Sequence, residues 1–326
     1  MPLPKILVVS LGGTITMTRE RTGGIVPTLS AADLVSAIPE IGDVARIEAL
    51  SPMNILSASL SIDDIVRLAR LVDEHLATGA EGCVVIQGTD TIEETAFLLD
   101  LLVNSDRPVV VTGAMRGPQT PGADGPANIL AAVIVACTAN ASGFGTLVVL
   151  NDEIHAARFV QKSHTALPSA FTSPLAGPVG LVAEGKTSFY FRLPNRVPPF
   201  EQADNDAPVA LIKIGMGDDG RLLKQVLPAG YRGLVVEGMG AGHVPASIAP
   251  IISEIIESIP VVLATRVHAG PAFRSTYAFA GSEIDLLKRG VIAAGALSGV
   301  KARLLLSLLL RGGDRSGVVE AFQRYG

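Results

Sequence analysis

The fold is decided by residues 84–100, which read VVIQGTDTIEETAFLLD. The β-branched run at 84–86 has the pattern of a strand buried on both faces. This strand breaks at Gly88 and passes directly into a helix, where Thr91 and Glu94 have the spacing of a capping box. Largely apolar positions recur along one side of that helix, at Ile92, Thr95, Ala96, Leu99 and Leu102. The stretch therefore predicts a parallel strand, a tight turn and an amphipathic helix.

The turn in this stretch places Gly88, Thr89 and Asp90 at the carboxyl end of the predicted strand. Ligands of open α/β sheets bind at this edge. A hydroxyl and a carboxylate side by side there can take part in chemistry. The alternative is that Thr89 and Asp90 only cap the helix, because both residue types are common at helix starts. The pattern of this stretch leaves both interpretations open.

The strand–turn–helix unit recurs before residue 190. Strands are predicted at 6–10, 45–50, 107–112 and 146–150, and helices at 27–38, 61–78 and 124–138. Asp124 is expected to cap the last of these helices. Repeated units of this kind indicate a parallel sheet with helices on both faces. The turns at Thr14, Thr89 and Ala114 then share one edge of the sheet, which predicts a functional site there.

A change of composition divides the chain. Pro, Asn, Asp and Gln dominate residues 191–206, a composition typical of a linker. Further strands are predicted at 209–214, 233–236 and 261–264, with helices near 246–258, 299–310 and 315–325. The predicted organisation is an N-terminal catalytic domain (1–190), a linker (191–208) and a C-terminal domain (209–326). The fold class is α/β, with a large, doubly wound, mostly parallel sheet in the N-terminal domain and a smaller α/β domain after it.

Composition and charge exclude several classes of function. The chain of 326 residues is 48% hydrophobic and 17% charged, with a net charge of −5 and no basic block. Nucleic acid and acidic membranes are therefore not expected partners, and the apolar run at 304–310 is too short to span a bilayer. The N-terminal residues lack the pattern of a secretory signal. Cys83, Cys137 and five scattered histidines have no metal-binding spacing. We expect a cytoplasmic protein without a metal or cofactor.

Several motifs carry a resemblance that covers nearly the whole chain. They are GGTI at 12–15, GTDT at 88–91 followed by EET at 93–95, TGAMR at 112–116, ADGP at 123–126, EGMGAG at 237–242 and KAR at 301–303. Lys162 also matches. In these motifs the sequence resembles bacterial-type L-asparaginases, and several motifs in order are far more specific than any one. The resemblance implies a large N-terminal α/β domain, a smaller C-terminal one and a homotetramer built as a dimer of dimers.

The resemblance assigns the catalytic roles. Thr14 stands where the family has its acylated threonine, and Thr89 matches the second catalytic threonine. Lys162 and Asp90 complete the group around Thr89, because a lysine held near a carboxylate in a desolvated pocket can relay a proton. Backbone N–H groups near Thr89 and Ala114 are expected to stabilise an oxyanion. The alternative interpretations are that Thr14 is only a turn residue and that Lys162 is only a solvated surface lysine.

The resemblance also implies contacts with a substrate. Asp90 is expected to bind the substrate α-amino group as well. Ser57 fits best as the serine that binds the substrate carboxylate, with Ser59 as the alternative. Glu283 stands where relatives donate a carboxylate across the dimer interface, and it can equally be an acid at a helix start. His243 stands where relatives often have Asn or Ser, and it is expected to be structural.

Two positions depart from the family pattern. Leu11 replaces the usual threonine before the glycine pair and is expected only to pack. Many relatives carry a tyrosine in the loop after the nucleophile, whereas the first tyrosine of this chain is Tyr190. Either another group of that loop, for which Thr16 is a candidate, or a water then activates Thr14, or the activity is weaker.

The implied activity is that of an L-asparaginase, which hydrolyses L-asparagine to L-aspartate and ammonia. The reaction is acyl transfer in two halves, through an ester on the threonine. A glutaminase-asparaginase is the first alternative, since one methylene in a pocket changes binding by only about 1–3 kcal/mol. The amidase subunit of a tRNA-amidating complex is a related possibility. A non-catalytic amino-acid sensor is the alternative from another class.

Overall fold

The computed structural model describes residues 2–13, 15, 17–19, 25–27, 29–193, 199–313 and 317–326. Two compact units form, Met1–Pro199 and Phe200–Gly326. The division falls inside the segment 191–208 that the composition marks as a linker. Both units are α/β, and the predicted fold class is confirmed.

The first unit is built on a mixed sheet whose described part has eight strands. Its strands, together with two short antiparallel ribbons, are β1 (Lys5–Ser10), β2 (Met17–Arg19), β3 (Ile25–Pro27), β4 (Arg46–Leu50), β5 (Gly82–Ile86), β6 (Val109–Thr112), β7 (Thr146–Leu150), β8 (Glu153–Ala156), β9 (Gln161–Lys162), β10 (Phe171–Thr172), β11 (Gly180–Ala183) and β12 (Lys186–Phe189). The helices are α1 (Ala31–Ser36), α2 (Ile41–Val44), α3 (Ile62–Ala77), α4 (Ile92–Leu102) and α5 (Gly125–Ala136).

The strand order of the large sheet is β12-β11-β8-β7-β6-β5-β1-β4. Strands β4, β1, β5, β6 and β7 pair in parallel, and β8, β11 and β12 are added antiparallel. Every residue of the central strand β5 is buried. This burial explains the uninterrupted apolar run at 84–86, since central strands of a parallel sheet are covered on both faces.

The antiparallel strand β8 was absent from the prediction, and a tight turn accounts for it. Leu150 at the end of β7 pairs with Glu153 at the start of β8, leaving a loop of Asn151 and Asp152. Both loop residues have positive φ, 52° and 63°. Two-residue loops with positive φ at both positions match the twist of a hairpin, and Asn and Asp tolerate that conformation better than most residues.

One predicted helix start and two predicted caps were wrong. The helix predicted from residue 27 begins only at Ala31, where Ser30 is the N-cap: its hydroxyl accepts the backbone N–H of Asp33, and the Asp33 carboxylate accepts the N–H of Ser30. Thr91 and Asp124 stand at the starts of α4 and α5, but the described contacts of their side chains cap neither helix. Their oxygens instead bind groups of neighbouring turns at the sheet edge. Capping is a local interaction, and tertiary partners compete for the same side chains.

The second unit contains a parallel sheet in the order β13-β14-β15-β16. Its strands are β13 (Val209–Lys213), β14 (Gly233–Gly238), β15 (Val261–Thr265) and β16 (Ile292–Ala293), and its helices are α6 (Ala249–Ile256), α7 (Glu283–Lys288), α8 (Gly299–Arg311) and α9 (Val318–Tyr325). The leucine run at 304–310 lies in α8 and is buried. None of the helices in the described parts of the chain is long and apolar enough to cross a membrane.

Ser61→Ala is expected to destabilise the first unit by about 1 kcal/mol, because it removes the N-cap of the 16-residue helix α3. The Ser61 hydroxyl accepts the backbone N–H of Asp64, whose carboxylate accepts the Ser61 N–H at 2.8 Å in return. Urea unfolding midpoints measure the change. Ser36→Ala, an exposed position within helix α1, is the matched control and should change stability by less than about 0.5 kcal/mol. Equal midpoints for the two variants would contradict the cap's contribution.

Candidate active site

The turns after β1, β5 and β6 meet at one edge of the large sheet. A Cβ added at Gly13 would lie 2.2 Å from the backbone nitrogen of Gly88, and Gly13 has φ of +101°. A Cβ added at Gly113 would lie 2.5 Å from the carbonyl oxygen of Gln87. Glycine permits both this conformation and such close backbone approach. Backbone contacts of Gly13 with Gly88, and of Gly113 with Gln87, therefore join the three turns.

Thr14, the predicted nucleophile, lies outside the described residues, as does Thr16. The residues on either side of Thr14 are described. Gly13 lies against Gly88, and the buried side chain of Ile15 lies next to Gly125 at the start of α5. The role of Thr14 stays a prediction.

The structure brings three of the four predicted catalytic residues together. The Lys162 Nζ atom lies 2.9 Å from Thr89 Oγ1 and 2.9 Å from Asp90 Oδ1. The lysine side chain is 18% exposed and the aspartate side chain 65%. Lys162 is therefore not a solvated surface lysine, which was the structural alternative for it. Its amine connects a hydroxyl and a carboxylate at the mouth of the site.

This arrangement is suited to proton transfer. A threonine hydroxyl is a weak nucleophile until a base withdraws its proton. An amine at hydrogen-bond distance from Thr89 can serve as that base when it is neutral, and Asp90 stabilises the ammonium that results. Thr89 and Asp90 do not cap α4 in the usual way, since a short 3-10 turn (Thr89–Thr91) precedes that helix.

Ser57 lies directly against the motif turn. Its side chain is buried, and its Oγ atom would be 2.6 Å from a Cβ placed at Gly88. The hydroxyl of Thr91 donates to the Ser57 carbonyl oxygen at 3.0 Å and accepts from Gln87 Nε2 at 3.2 Å. Ser59, the alternative for the same role, has an exposed side chain. The structure thus places Ser57, rather than Ser59, at the sheet edge.

The turn that contains Ala114 is held by two polar side chains, the half-buried Asp124 and the buried Asn128. The Asp124 carboxylate accepts the backbone N–H groups of Met115 and Arg116, both at 2.9 Å. Asn128 donates to the Gly113 carbonyl oxygen at 2.9 Å. Asn128 was missed by sequence reasoning, although an amide on the otherwise apolar helix α5 is the kind of signal that marks a buried hydrogen-bond partner. These contacts orient the backbone N–H groups around Ala114.

Glu283 belongs to the second unit, where donors already surround its buried carboxylate. Oε1 accepts the backbone N–H groups of Thr276 at 2.9 Å and Tyr277 at 2.6 Å, and Oε2 lies 3.2 Å from His243 Nε2. Burial raises the pKa of Glu283, but these backbone donors and His243 outweigh it and hold the pKa below its ordinary value. The His243 ring also meets Tyr277 and Phe279 edge-on. The described contacts give both residues structural roles, and a substrate contact for Glu283 stays a prediction.

Lys162 is carried by the hairpin 161–172, formed by β9 and β10, and a buried histidine lies at its base. The His155 Nδ1 atom is 3.0 Å from Ser173 Oγ, and Nε2 lies 3.3 Å from Glu153 Oε2 at an angle outside the hydrogen-bond range. Burial lowers the pKa of His155 to about 4 and raises the pKa of Glu153. Sequence reasoning singled out neither His155 nor Ser173.

Metal chemistry was not expected from the sequence. In the described parts of the chain, no group of three or more His, Cys, Asp or Glu residues is placed to hold a metal ion. Burial raises the pKa of the Cys83 thiol and raises that of Cys137 to about 11. A thiol whose pKa is raised in this way is a weak nucleophile near neutral pH.

The fold and the site define a class: α/β proteins with an acid–base cluster at the carboxyl edge of a parallel sheet, where such folds bind small molecules. The family described as "Asparaginase, N-terminal" matches residues 5–195, and the family described as "Glutaminase/Asparaginase C-terminal domain" matches residues 208–322. The chain therefore belongs to the asparaginase family.

Individual relatives match over nearly their full length. A Deinococcus radiodurans protein named "Probable L-asparaginase" is 36% identical over 325 residues, which cover 98% of this chain and 97% of the relative. The L-asparaginase of Bacillus licheniformis is 31% identical over 309 residues, covering 94% and 95%. A crystal structure titled as a probable cytoplasmic L-asparaginase from Campylobacter jejuni has a TM-score of 0.90 at 33% identity, covering 99% of this chain and 100% of that one.

The His155 ring makes the stability of the first unit depend on pH. Its pKa is about 4 in the folded protein because the ring is buried, against an ordinary value of 6.5. As the pH falls below 6.5 the unfolded chain binds a proton that the folded protein does not, so stability is lost between pH 6.5 and 4. The loss between pH 7 and pH 4.5 should be roughly 2 kcal/mol from this group.

His155→Asn removes this titration, so the variant should lose less stability than the wild type when urea unfolding at pH 7 and pH 4.5 is compared. An unchanged pH dependence in His155→Asn would show that other groups cause the acid-side loss.

Proposed function

We propose that this protein is an L-asparaginase, which hydrolyses L-asparagine to L-aspartate and ammonia through an ester on Thr14. The observation that carries the proposal is the placement of Lys162 Nζ at 2.9 Å from both Thr89 Oγ1 and Asp90 Oδ1, in a chain of the asparaginase family. Binding of an amino acid alone does not require an amine held between a hydroxyl and a carboxylate, which counts against a sensor.

In the first half-reaction the Thr14 hydroxyl attacks the side-chain amide carbonyl of the substrate. The C–N bond breaks, and the proton lost by the hydroxyl reaches the leaving group, so ammonia departs. In the second half-reaction water attacks the ester, its proton returns to the threonine oxygen, and aspartate is released. Backbone N–H groups at the turns of Thr89 and Ala114 stabilise the oxyanion formed in each half.

Thr89, Lys162 and Asp90 transfer the protons in both halves. The neutral Lys162 amine receives a proton through the Thr89 hydroxyl, and the ammonium that forms is held by Asp90. The same ammonium then returns the proton to the leaving group or to the threonine oxygen. The exposed carboxylate of Asp90 also binds the α-ammonium group of the substrate, and Ser57 binds the substrate α-carboxylate.

Glutamine is the alternative substrate. It differs from asparagine by one methylene, which a pocket discriminates by only about 1–3 kcal/mol. The C-terminal family that matches residues 208–322 is described as glutaminase/asparaginase, which supports measuring both activities. The rates with the two amides give the preference directly.

A homotetramer and a cytoplasmic location complete the proposal. The second unit exposes large side chains, among them Phe273, Tyr277 and Phe279, which a partner chain would cover. The structural neighbour from Campylobacter jejuni is named cytoplasmic, and this supports the same location.

The decisive experiment is ammonia release from L-asparagine and L-glutamine by wild type, Thr14→Ala and Lys162→Met. Thr14→Ala should abolish release, because the acyl ester cannot form. Lys162→Met should lower kcat by about 100-fold or more, the usual contribution of a general base. Lys186→Met, an exposed lysine of the same unit, is the matched control and should retain full turnover.

Turnover that survives Thr14→Ala would move the nucleophile to another hydroxyl, with Thr89 the next to test. Full turnover in Lys162→Met would remove the lysine from the mechanism. A wild-type protein that releases no ammonia but is stabilised against heat by an amino acid would be a sensor.

Alanine variants of Ser57 and Ser59 test substrate binding separately from catalysis. Ser57→Ala should raise KM for asparagine by about 10-fold or more, because a hydrogen bond to a charged group contributes about 1.5–3 kcal/mol. The kcat should change little, since this contact is made equally in the bound substrate and the transition state. Ser59→Ala is the matched control and should leave KM unchanged. The opposite ranking of the two KM values would assign the carboxylate contact to Ser59.

A further inference from the structure

The hairpin 161–172 that carries Lys162 is too short to hold its own position. Its ribbon contains two register pairs, Lys162 with Phe171 and Gln161 with Thr172. An isolated two-stranded ribbon is marginal in water even when it is longer than this. Lys162 Nζ nevertheless meets two oxygens at 2.9 Å at the same time. Contacts outside the ribbon must therefore hold it in place.

One such contact closes the base of the hairpin. Strand β8 belongs to the large sheet and contains His155. The Nδ1 atom of His155 shares a 3.0 Å hydrogen bond with the hydroxyl of Ser173, the residue immediately after β10. The two residues are 1% and 5% exposed. The bond joins the two ends of the segment 155–173, which contains Lys162. It ties the exit of the hairpin to a rigid strand of the sheet.

The other ring nitrogen of His155, Nε2, lies 3.3 Å from Glu153 Oε2 without hydrogen-bond geometry. The described hydrogen bond of the His155 side chain is therefore the one that Nδ1 shares with the Ser173 hydroxyl. The backbone carbonyl of Ser173 accepts the N–H groups of Ala176 and Gly177, so the same residue also anchors the following turn.

A serine, a histidine and a carboxylate in contact are also the components of a hydrolytic triad. Here the serine and the imidazole are almost completely buried, so a substrate carbonyl cannot reach Ser173. The three side chains instead lie at the base of the segment that carries Lys162. Their arrangement is suited to positioning.

We propose that His155 and Ser173 are positioning residues for the lysine: their buried hydrogen bond holds the hairpin 161–172 so that Lys162 contacts Thr89 and Asp90 together. A misplacement of about 1 Å in a catalytic group can reduce turnover by up to 100-fold. The inference rests on the proposed function, since it assigns the two residues an effect on turnover through Lys162. Neither residue touches the substrate.

Ser173→Ala tests the proposal, because it removes one buried oxygen and leaves the packing nearly intact. We expect kcat for asparagine to fall about 10-fold with KM changed less than about 3-fold, since the substrate contacts of Ser57 and Asp90 remain. Ser188→Ala, an exposed serine on β12, is the matched control and should change none of these values.

A double variant separates positioning from simple loss of folded enzyme, because loss of folded enzyme would lower turnover in any background. A Ser173→Ala kcat equal to that of the wild type would overturn the inference. Introduced into Lys162→Met, the same substitution should change residual turnover less than about 2-fold, and a further 10-fold loss there would also overturn it.

The inference and the proposed function can fail separately. If Lys162→Met loses turnover while Ser173→Ala keeps the turnover of the wild type, only the inference is refuted. Full turnover in Lys162→Met would refute the mechanism and the inference together.

Discussion

No side chain fits between the backbone of Gly13 and that of Gly88, and the geometry of the site depends on this contact. The two glycines end adjacent parallel strands, and each precedes a threonine. A Cβ at Gly13 would lie 2.2 Å from the Gly88 nitrogen, far closer than van der Waals contact allows. A larger residue would therefore push the two turns apart. The proposed mechanism requires Thr14 and Thr89 at these adjacent turns. The distance between those turns is set by backbone contact, before any side chain contributes.

Hydrogen bonds from half-buried polar side chains then hold the turns in place. Asp124 accepts two backbone N–H groups of the turn after β6, and Thr91 binds the carbonyl of Ser57. Each such hydrogen bond contributes about 0.5–1.5 kcal/mol, so together they favour the observed positions of the turns. The same side chains would otherwise be ordinary helix caps. Local helix stability is thereby exchanged for a defined site.

Lys162 reaches this edge from a different part of the sheet. It follows the antiparallel strand β8, on a short ribbon whose base is closed by the buried pair of His155 and Ser173. Strand β8 exists because Asn151 and Asp152 form a tight turn at the end of β7. The lysine is therefore positioned by the antiparallel extension of the sheet, whereas Thr89 is positioned by its parallel centre. Both parts are needed for the 2.9 Å contacts at Nζ.

The sequence by itself determined the parallel sheet, the place of its edge and the residues that meet there. Strand pattern and turn residues are local, and for this reason β5, the turn at Gly88 and α4 were predictable from residues 84–100 alone. The motif resemblance added Lys162 and the choice between Ser57 and Ser59. Only the tertiary structure decided that Thr91 and Asp124 bind neighbouring turns rather than cap helices, and that Ser57 is the serine against Gly88. It alone revealed Asn128, His155 and Ser173, because hydrogen bonds between distant segments, and the burial that makes them necessary, leave no periodic pattern in a sequence.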